Sequence, residues 1–126
     1  MLIDSNIIIY AAMPEHHWLR DFIAEHAPAV SAISYVEVLG YHRLTQHDRE
    51  YFEDFFAASL IFPISNAVLE QAVRLRQIRR IALGDALVAA TALAHNSMLV
   101  TRNTDDFDWI ENLRLLNPFA AENDAT

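Results

Sequence analysis

Hydrophobic residues follow two alternating patterns along the chain, short apolar runs and longer segments with helical spacing. Leu2-Ile3 is a short run that predicts a buried strand ending at Asp4, followed by a short helix that Pro14 ends. Similar runs predict strands at residues 29–31, 98–100 and 113–116, and a strand or a linker at residues 60–63.

The segments between these runs carry apolar residues every three or four positions, which is the spacing of one helix face. Thr45 and Ser65 precede two such segments and are predicted N-caps. The pattern predicts helices over residues 16–26, 34–44, 46–58, 66–80 and 86–95, and a short helix over residues 104–110.

Short apolar strands that alternate with helices are typical of a parallel sheet covered by helices on both faces. We therefore predict an α/β fold with a central parallel sheet of four or five short strands. One domain is expected over residues 1–119, with a disordered tail over residues 120–126. In such sheets, functional sites form at the carboxyl ends of the strands.

Composition excludes several classes of function. The chain has 126 residues, 53% of them hydrophobic, which suits one packed domain. It has no cysteine, so disulfides and thiolate metal sites are excluded. All 9 basic residues are arginines, which excludes P-loop and Schiff-base enzymes that require a lysine, and 2 glycines cannot build a glycine-rich dinucleotide loop. Carboxylates, histidines and hydroxyls remain as catalytic groups.

The N-terminal residues lack the basic stretch and the cleavage site of a signal peptide. No apolar stretch reaches the roughly 18 residues that a membrane span needs. We therefore expect a soluble, cytoplasmic protein that does not associate with membranes.

The formal net charge is −8, which argues against binding of nucleic acid, because phosphate contacts usually come from a basic surface. Two features could answer this objection. Part of the negative charge could form a site for divalent cations, which reverse the local field. Arg74, Arg76, Arg79 and Arg80 could form a local basic cluster, although a solvated helix face explains that cluster equally well.

Acidic side chains follow strands or begin helices at several places. Asp4 follows the first strand, Glu37 and Asp85 lie near helix starts, and Asn103, Asp105 and Asp106 follow the strand at residues 98–100. Each is flanked by apolar sequence, where a carboxylate without a partner is costly. A hard divalent cation such as Mg²⁺ or Mn²⁺ is the partner that clustered carboxylates favour. It could activate water for phosphodiester cleavage.

A structural role is the alternative for each acid. Ser34 and Glu37 have the spacing of a capping box, and both Asp4 and Asp85 are suitable N-caps. The residues alone leave both interpretations open.

Four segments resemble the motifs of PIN-domain proteins, in the family's order. They are Leu2-Ile3-Asp4-Ser5-Asn6, Ser34-Tyr35-Val36-Glu37-Val38, Gly84-Asp85-Ala86-Leu87-Val88 and Leu99-Val100-Thr101-Arg102-Asn103-Thr104-Asp105-Asp106-Phe107. Their order and spacing are similar to those of VapC-like toxins, and Asn117-Pro118-Phe119 resembles the ending of the FitB-like branch. The resemblance covers nearly the whole chain and identifies residues 1–119 as a PIN-like domain.

The resemblance implies a Mg²⁺- or Mn²⁺-dependent endoribonuclease. Asp4 and Asp85 would be the principal metal ligands, with Glu37 as a further ligand or an aid to the attacking water. Ser5 and Thr101 would support the site through hydroxyl contacts. The family often has aspartate where this chain has Asn103. Asn103 could still bind the metal or a water molecule, and Asp105 or Asp106 would supply the missing charge. Our predicted catalytic set therefore includes Asn103 and Asp106.

Members of this family commonly form homodimers and bind an antitoxin whose C-terminal segment blocks the site. We therefore expect a VapB-like antitoxin as partner, with one of its arginines reaching the carboxylates. The aromatic segment Tyr51–Phe56 could form its groove, although ordinary core is the favoured interpretation.

Two other functions remain open. Asn103 and the acidic surface would also suit a catalytically weak PIN-like domain that acts as a binding partner in a regulatory complex. A metal-dependent phosphoesterase with a small-molecule substrate is a further alternative, and it predicts that the protein does not bind RNA.

Overall fold

The structure is a computed structural model that describes residues 1–120. It contains one sheet of five parallel strands, in the spatial order β3-β2-β1-β4-β5. The strands are β1 (Leu2–Ile3), β2 (Ala29–Ser31), β3 (Ile61–Phe62), β4 (Leu99–Val100) and β5 (Leu115–Leu116). All five lie within the predicted segments, so the predicted α/β fold with a parallel sheet is confirmed.

Six α-helices connect the strands. They are α1 (Ser5–Ala11), α2 (His17–His26), α3 (Ala32–Leu39), α4 (Gln46–Ala58), α5 (Asn66–Ile78) and α6 (Leu83–Ala94), with 3₁₀ turns at Pro14–His16 and Thr104–Asp106. Both predicted caps are present. The Thr45 hydroxyl accepts a hydrogen bond from the Asp48 N–H at 3.1 Å, and the Ser65 hydroxyl accepts one from the Val68 N–H at 3.3 Å.

The sheet separates two hydrophobic cores, because successive side chains of a strand point to opposite faces. Leu2 joins the core beneath α5 and α6, which includes Leu75 and Phe107. Ile3, the next residue, joins the core beneath α1, α2 and α4, which includes Phe52. Helices therefore cover both faces of the sheet, as the alternating pattern predicted.

β1 is the central strand, and the order of the strands reverses beside it. The chain continues from β1 to β2 and β3 on one side, and then crosses to β4 on the other side of β1. A crevice forms at such a switch point, beyond the carboxyl ends of the strands. Asp4 and Thr101 follow β1 and β4 directly, and therefore lie side by side at this crevice.

The predicted bounds of α3, of α6 and of the helix over residues 104–110 are wrong. α3 begins at Ala32 rather than at residue 34, because Ser31 caps it directly after β2, and it ends before Gly40 rather than at residue 44. α6 begins at Leu83, three residues before the predicted start. The predicted helix over residues 104–110 is a single 3₁₀ turn followed by further turns. Its N–H groups bond to carbonyls three residues back, which places Phe107 and Ile110 in the core.

Within residues 1–120, no helix combines the length and the apolar character needed to cross a membrane. Of the predicted disordered tail, Ala120 closes a helical turn, and residues 121–126 lie outside the described part of the chain.

Candidate functional site

A small cleft lies at the switch point of the sheet. Its volume is about 50 Å³, and its lining combines the first turn of α1 with side chains from α3 and α6. The lining residues are Asp4, Ser5, Asn6, Glu37, Asp85 and Val88. The cleft therefore brings together three of the predicted site residues, which are far apart in the sequence.

Asp4 is buried at the base of the cleft, with a side chain 6% exposed. Its carboxylate caps α1 by accepting a hydrogen bond from the Ile7 N–H at 3.0 Å. Burial raises the pKa of Asp4, and the negative charge of Glu37 raises it further. Hydrogen bonds from the Thr101 hydroxyl and from backbone N–H groups oppose this rise. Burial has the larger effect, so the ionised Asp4 carboxylate is less stable in the folded protein than in water.

Glu37 is oriented by a chain of two serine hydroxyls. Ser5 Oγ donates to Glu37 Oε1 at 2.7 Å, and Ser5 Oγ lies 2.9 Å from Ser34 Oγ. A hydroxyl has one proton to donate, so Ser34 donates to Ser5 when Ser5 donates to Glu37. Ser34 is fully buried, which fixes this chain of hydrogen bonds at the side of α3.

Gly84 provides the space that the Glu37 carboxylate occupies. A Cβ atom built on Gly84 would lie 2.5 Å from Glu37 Oε2 and 3.1 Å from Glu37 Cδ. Real Cβ atoms do not approach other atoms so closely. A side chain at position 84 would therefore displace the Glu37 carboxylate from the place it occupies.

Asp85 lies in the first turn of α6, with its side chain half-buried. Burial raises the pKa of Asp85, and three nearby negative charges add to the rise. In decreasing order of effect, these charges belong to Asp106, Glu37 and Asp4. Asp85 is therefore the residue whose pKa responds to all the other carboxylates in and beside the cleft.

The structure distinguishes the three candidates that follow β4. Asp106 is the only one whose charge raises the pKa of Asp85. The Asn103 N–H donates to the Thr101 hydroxyl at 3.1 Å, and the exposed Asn103 side chain forms no hydrogen bond within residues 1–120. Asp105 is exposed and affects neither Asp4 nor Asp85. The acidic charge nearest to the cleft on this segment is therefore that of Asp106.

Helix capping accounts for one of the three acids. Asp4 is an N-cap, but the cap of α6 is Ala82 rather than Asp85. The predicted capping box of Ser34 and Glu37 is wrong, because Ser31 caps α3 and Glu37 lies in its last turns. Glu37 and Asp85 therefore face the cleft without a capping role that would explain them.

The carboxylates of the cleft are not neutralised by neighbouring cations. Residues 1–120 contain two ion pairs, His17–Asp21 and His26–Glu25, and both are remote in sequence from the cleft. In the same residues, no three Asp, Glu or His side chains are close enough to enclose a metal ion. Mg²⁺ usually keeps several waters and is held by one or two carboxylates. Asp4 and Asp85, which both line the cleft, are therefore the residues that could hold such an ion.

Sequence reasoning missed the positions of Ser34 and Gly84 in this arrangement. Both lie inside two of the four motifs, but the sequence predicts only a capping role for Ser34 and assigns no role of its own to Gly84. The chain contains two glycines, and one of them directly precedes a candidate ligand. That rarity was the signal for a close approach of another side chain.

Replacing Gly84 by alanine is expected to lower the activity of the site about tenfold while leaving the protein as stable or slightly more stable. Alanine favours the helix over glycine by about 1 kcal/mol, but its Cβ displaces the Glu37 carboxylate. The measurement is thermal unfolding beside an assay of that activity. Glu53→Ala, at an exposed position in the middle of α4, is the control. Full activity of Gly84→Ala would contradict a role for the placement of Glu37.

Comparison with known families assigns residues 1–112 to the PIN domain. A toxin–antitoxin complex from Klebsiella pneumoniae contains a chain 30% identical to this one, with a TM-score of 0.74. The similarity covers 93% of this chain and 96% of that chain. No match was found among the curated proteins.

Two more distant structures have the same fold. VapBC2 from Rickettsia felis, bound to a DNA fragment from its promoter, is 24% identical with a TM-score of 0.76, over 92% of this chain and 96% of that chain. FitAcB from Neisseria gonorrhoeae is 23% identical with a TM-score of 0.74, over 94% of this chain and 97% of that chain. The resemblance predicted from the four motifs is confirmed: the chain belongs to the PIN-domain family.

Proposed function

We propose that the protein is a Mg²⁺- or Mn²⁺-dependent endoribonuclease that acts as the toxin of a VapBC-type toxin–antitoxin pair. The observation that carries this proposal is the cluster of carboxylates at the switch point. Asp4 and Asp85 both have a raised pKa, and neither has a cationic partner in residues 1–120. Such a cluster costs stability unless a cation binds to it.

Asp4 and Asp85 would hold the metal ion. When bound, a divalent cation supplies activation of a water molecule and stabilisation of the charge that develops on the phosphate. Glu37 would orient this water and accept its proton, because Ser5 holds the carboxylate at one oxygen. Asp106 would add negative charge beside Asp85, and Asn103 would bind water at the mouth of the cleft.

The expected substrate is RNA, on the basis of the resemblance to VapC-like proteins. The cleft has a volume of only about 50 Å³, which suits a phosphodiester backbone lying across its mouth rather than an enclosed small molecule. Cytoplasmic RNA would be the target in the cell.

A VapB-like antitoxin is the expected partner, and three of the similar structures are described as toxin–antitoxin or VapBC and FitAB assemblies. An apolar cavity of about 250 Å³ lies between α2 and the end of α4. Phe55 and the exposed Leu60 line it, whereas Phe52 and Phe56 are buried in the core. Most of the Tyr51–Phe56 segment is therefore core, and its remaining surface would receive an apolar antitoxin segment. An antitoxin arginine would neutralise the cleft.

Homodimer formation belongs to the same proposal. Several apolar side chains are exposed on α3, on α5 and at the start of α6, where they would be covered by a second copy. They are Val36 at 62%, Leu69 at 46%, Val73 at 56% and Leu83 at 56% exposure.

The test is cleavage of total RNA by the purified protein in Mg²⁺, in Mn²⁺ and in a chelator, with Asp4→Asn in parallel. Cleavage that requires the metal and is lost in the variant is the expected result. Cleavage that persists in the chelator and in the variant would contradict the proposal. Cleavage by neither protein would favour a PIN-like binding partner over an enzyme.

A further inference from the structure

Two arginines lie against aromatic rings on segments that border the acidic cleft. The Arg102 guanidinium carbon is 4.2 Å from the centre of the Phe119 ring and 5.2 Å from that of Tyr10. The Arg79 guanidinium carbon is 5.1 Å from the centre of the Trp109 ring. Guanidinium groups at these distances are held by cation–π attraction.

Arg102 is connected to the Asp4 side of the cleft. It directly follows Thr101, whose hydroxyl bonds to the Asp4 carboxylate. The Asn117 side-chain amide donates to the Arg102 carbonyl at 3.3 Å, which fixes the backbone of this segment. The ring of Phe119 is itself held edge-to-face by Trp18 and Tyr10. The arginine therefore rests on a rigid aromatic support.

Arg79 is connected to the Asp85 side. It lies over Trp109, whose indole N–H donates to the Asp106 carbonyl at 2.9 Å. Asp106 is the strongest of the negative charges acting on Asp85. Arg102 thus lies at the start of the segment that follows β4, and Arg79 contacts Trp109 near the end of that segment.

Both guanidinium groups keep their donors available. Within residues 1–120, neither forms an ion pair or a side-chain hydrogen bond, whereas Arg20 and Arg114 donate to backbone carbonyls. An arginine presents five N–H donors, and stacking leaves them free at the ring edge for an anion. A stacked arginine also loses less side-chain entropy when it binds a ligand.

We propose that Arg79 and Arg102 bind two backbone phosphates of single-stranded RNA, one at each end of the segment that follows β4. This inference rests on the proposed nuclease function. It explains how a chain with a net charge of −8 and no lysine can hold a polyanion. Two localised cations would supply the phosphate contacts, and the carboxylates of the cleft would be left for the metal.

The test is the salt dependence of binding of a short fluorescein-labelled single-stranded RNA, measured by anisotropy in a chelator so that the RNA stays intact. Each lost phosphate contact lowers the slope of log K against log salt concentration by about 0.7. We expect Arg79→Gln and Arg102→Gln each to show this change, with about tenfold weaker binding. Arg114→Gln is the matched control, because Arg114 bonds to the Asn96 carbonyl ahead of β4, at the other end of the strands.

Trp109→Leu tests the aromatic ring beneath Arg79 separately from the charge of Arg79. It keeps both arginines, so the expected result is weaker binding with an unchanged slope. If both arginine variants keep the slope of the parent, or if Arg114→Gln lowers it equally, the inference is wrong while Mg²⁺-dependent cleavage by the parent still stands. A parent that neither cleaves RNA in Mg²⁺ nor binds it would overturn the proposed function and the inference together.

Discussion

Replacing Asp85 by asparagine is expected to lower metal-dependent RNA cleavage about 10²- to 10³-fold and to leave the fold intact. This is the range for loss of one group that stabilises charge in a transition state. Asparagine has nearly the same shape as aspartate but lacks the charge that would hold the cation. The Asp85 side chain does not cap α6, so the substitution removes no capping hydrogen bond. The measurement is kcat/KM for a defined RNA in Mg²⁺, with circular dichroism to verify folding.

Two further variants make this prediction specific. Asp106→Asn should have a smaller effect, because Asp106 acts on Asp85 through its charge and is exposed. Asp21→Asn, an exposed acid on α2, should leave cleavage unchanged. Retention of more than about a tenth of the activity by Asp85→Asn would be inconsistent with its role as a metal ligand.

The second large expected effect is a change in the free energy of unfolding that depends on pH and on bound metal. The pKa of Asp4 and that of Asp85 are raised above the ordinary value of 3.8 in the folded protein. The folded state therefore binds these protons more tightly than the unfolded state. Their stabilising contribution is complete below the ordinary value and is lost as the pH rises through the raised values. At neutral pH without metal, both carboxylates are expected to lower the free energy of unfolding.

The double variant Asp4→Asn with Asp85→Asn should therefore raise Tm in a chelator, and this gain should grow as the pH rises above the ordinary pKa of 3.8. Asparagine at position 4 can still cap α1. Mg²⁺ at 100 times its Kd should stabilise the parent by about 2.7 kcal/mol, and the double variant by much less. The measurement is thermal unfolding across pH with and without Mg²⁺. An equal effect of Mg²⁺ on both proteins would place the metal elsewhere.

Much of the fold could be predicted from local signals. The N-cap of α4 and the bounds of β2 follow from Thr45 and from the run at residues 29–31, both of which are local features. The starts of α3 and α6 could not be predicted in the same way. Ser31 and Ala82 lie ahead of the visible signals at Ser34 and Gly84, and packing against the sheet decides where those helices begin.

The candidate site could be predicted as a set of residues but not as an arrangement. The motifs placed Asp4, Glu37 and Asp85 together, and the structure brings all three to one cleft. The choice of Asp106 over Asp105 could not be made from the sequence, because the 3₁₀ turn determines which of the two acids points toward Asp85. The same limit applies to the Ser34–Ser5–Glu37 chain, which joins residues of two helices.

The position of β1 in the centre of the sheet affects how the protein must fold during synthesis. Leu2 pairs with Ala29 on one side and with Leu99 on the other. The second pairing closes a very long loop, which is slow and requires most of the chain to be present. Until β4 leaves the ribosome, Asp4 lacks Thr101 and Asp85 lacks Asp106. The candidate site therefore assembles last, so we expect a nascent chain to lack the proposed activity until β4 and the segment after it have been made.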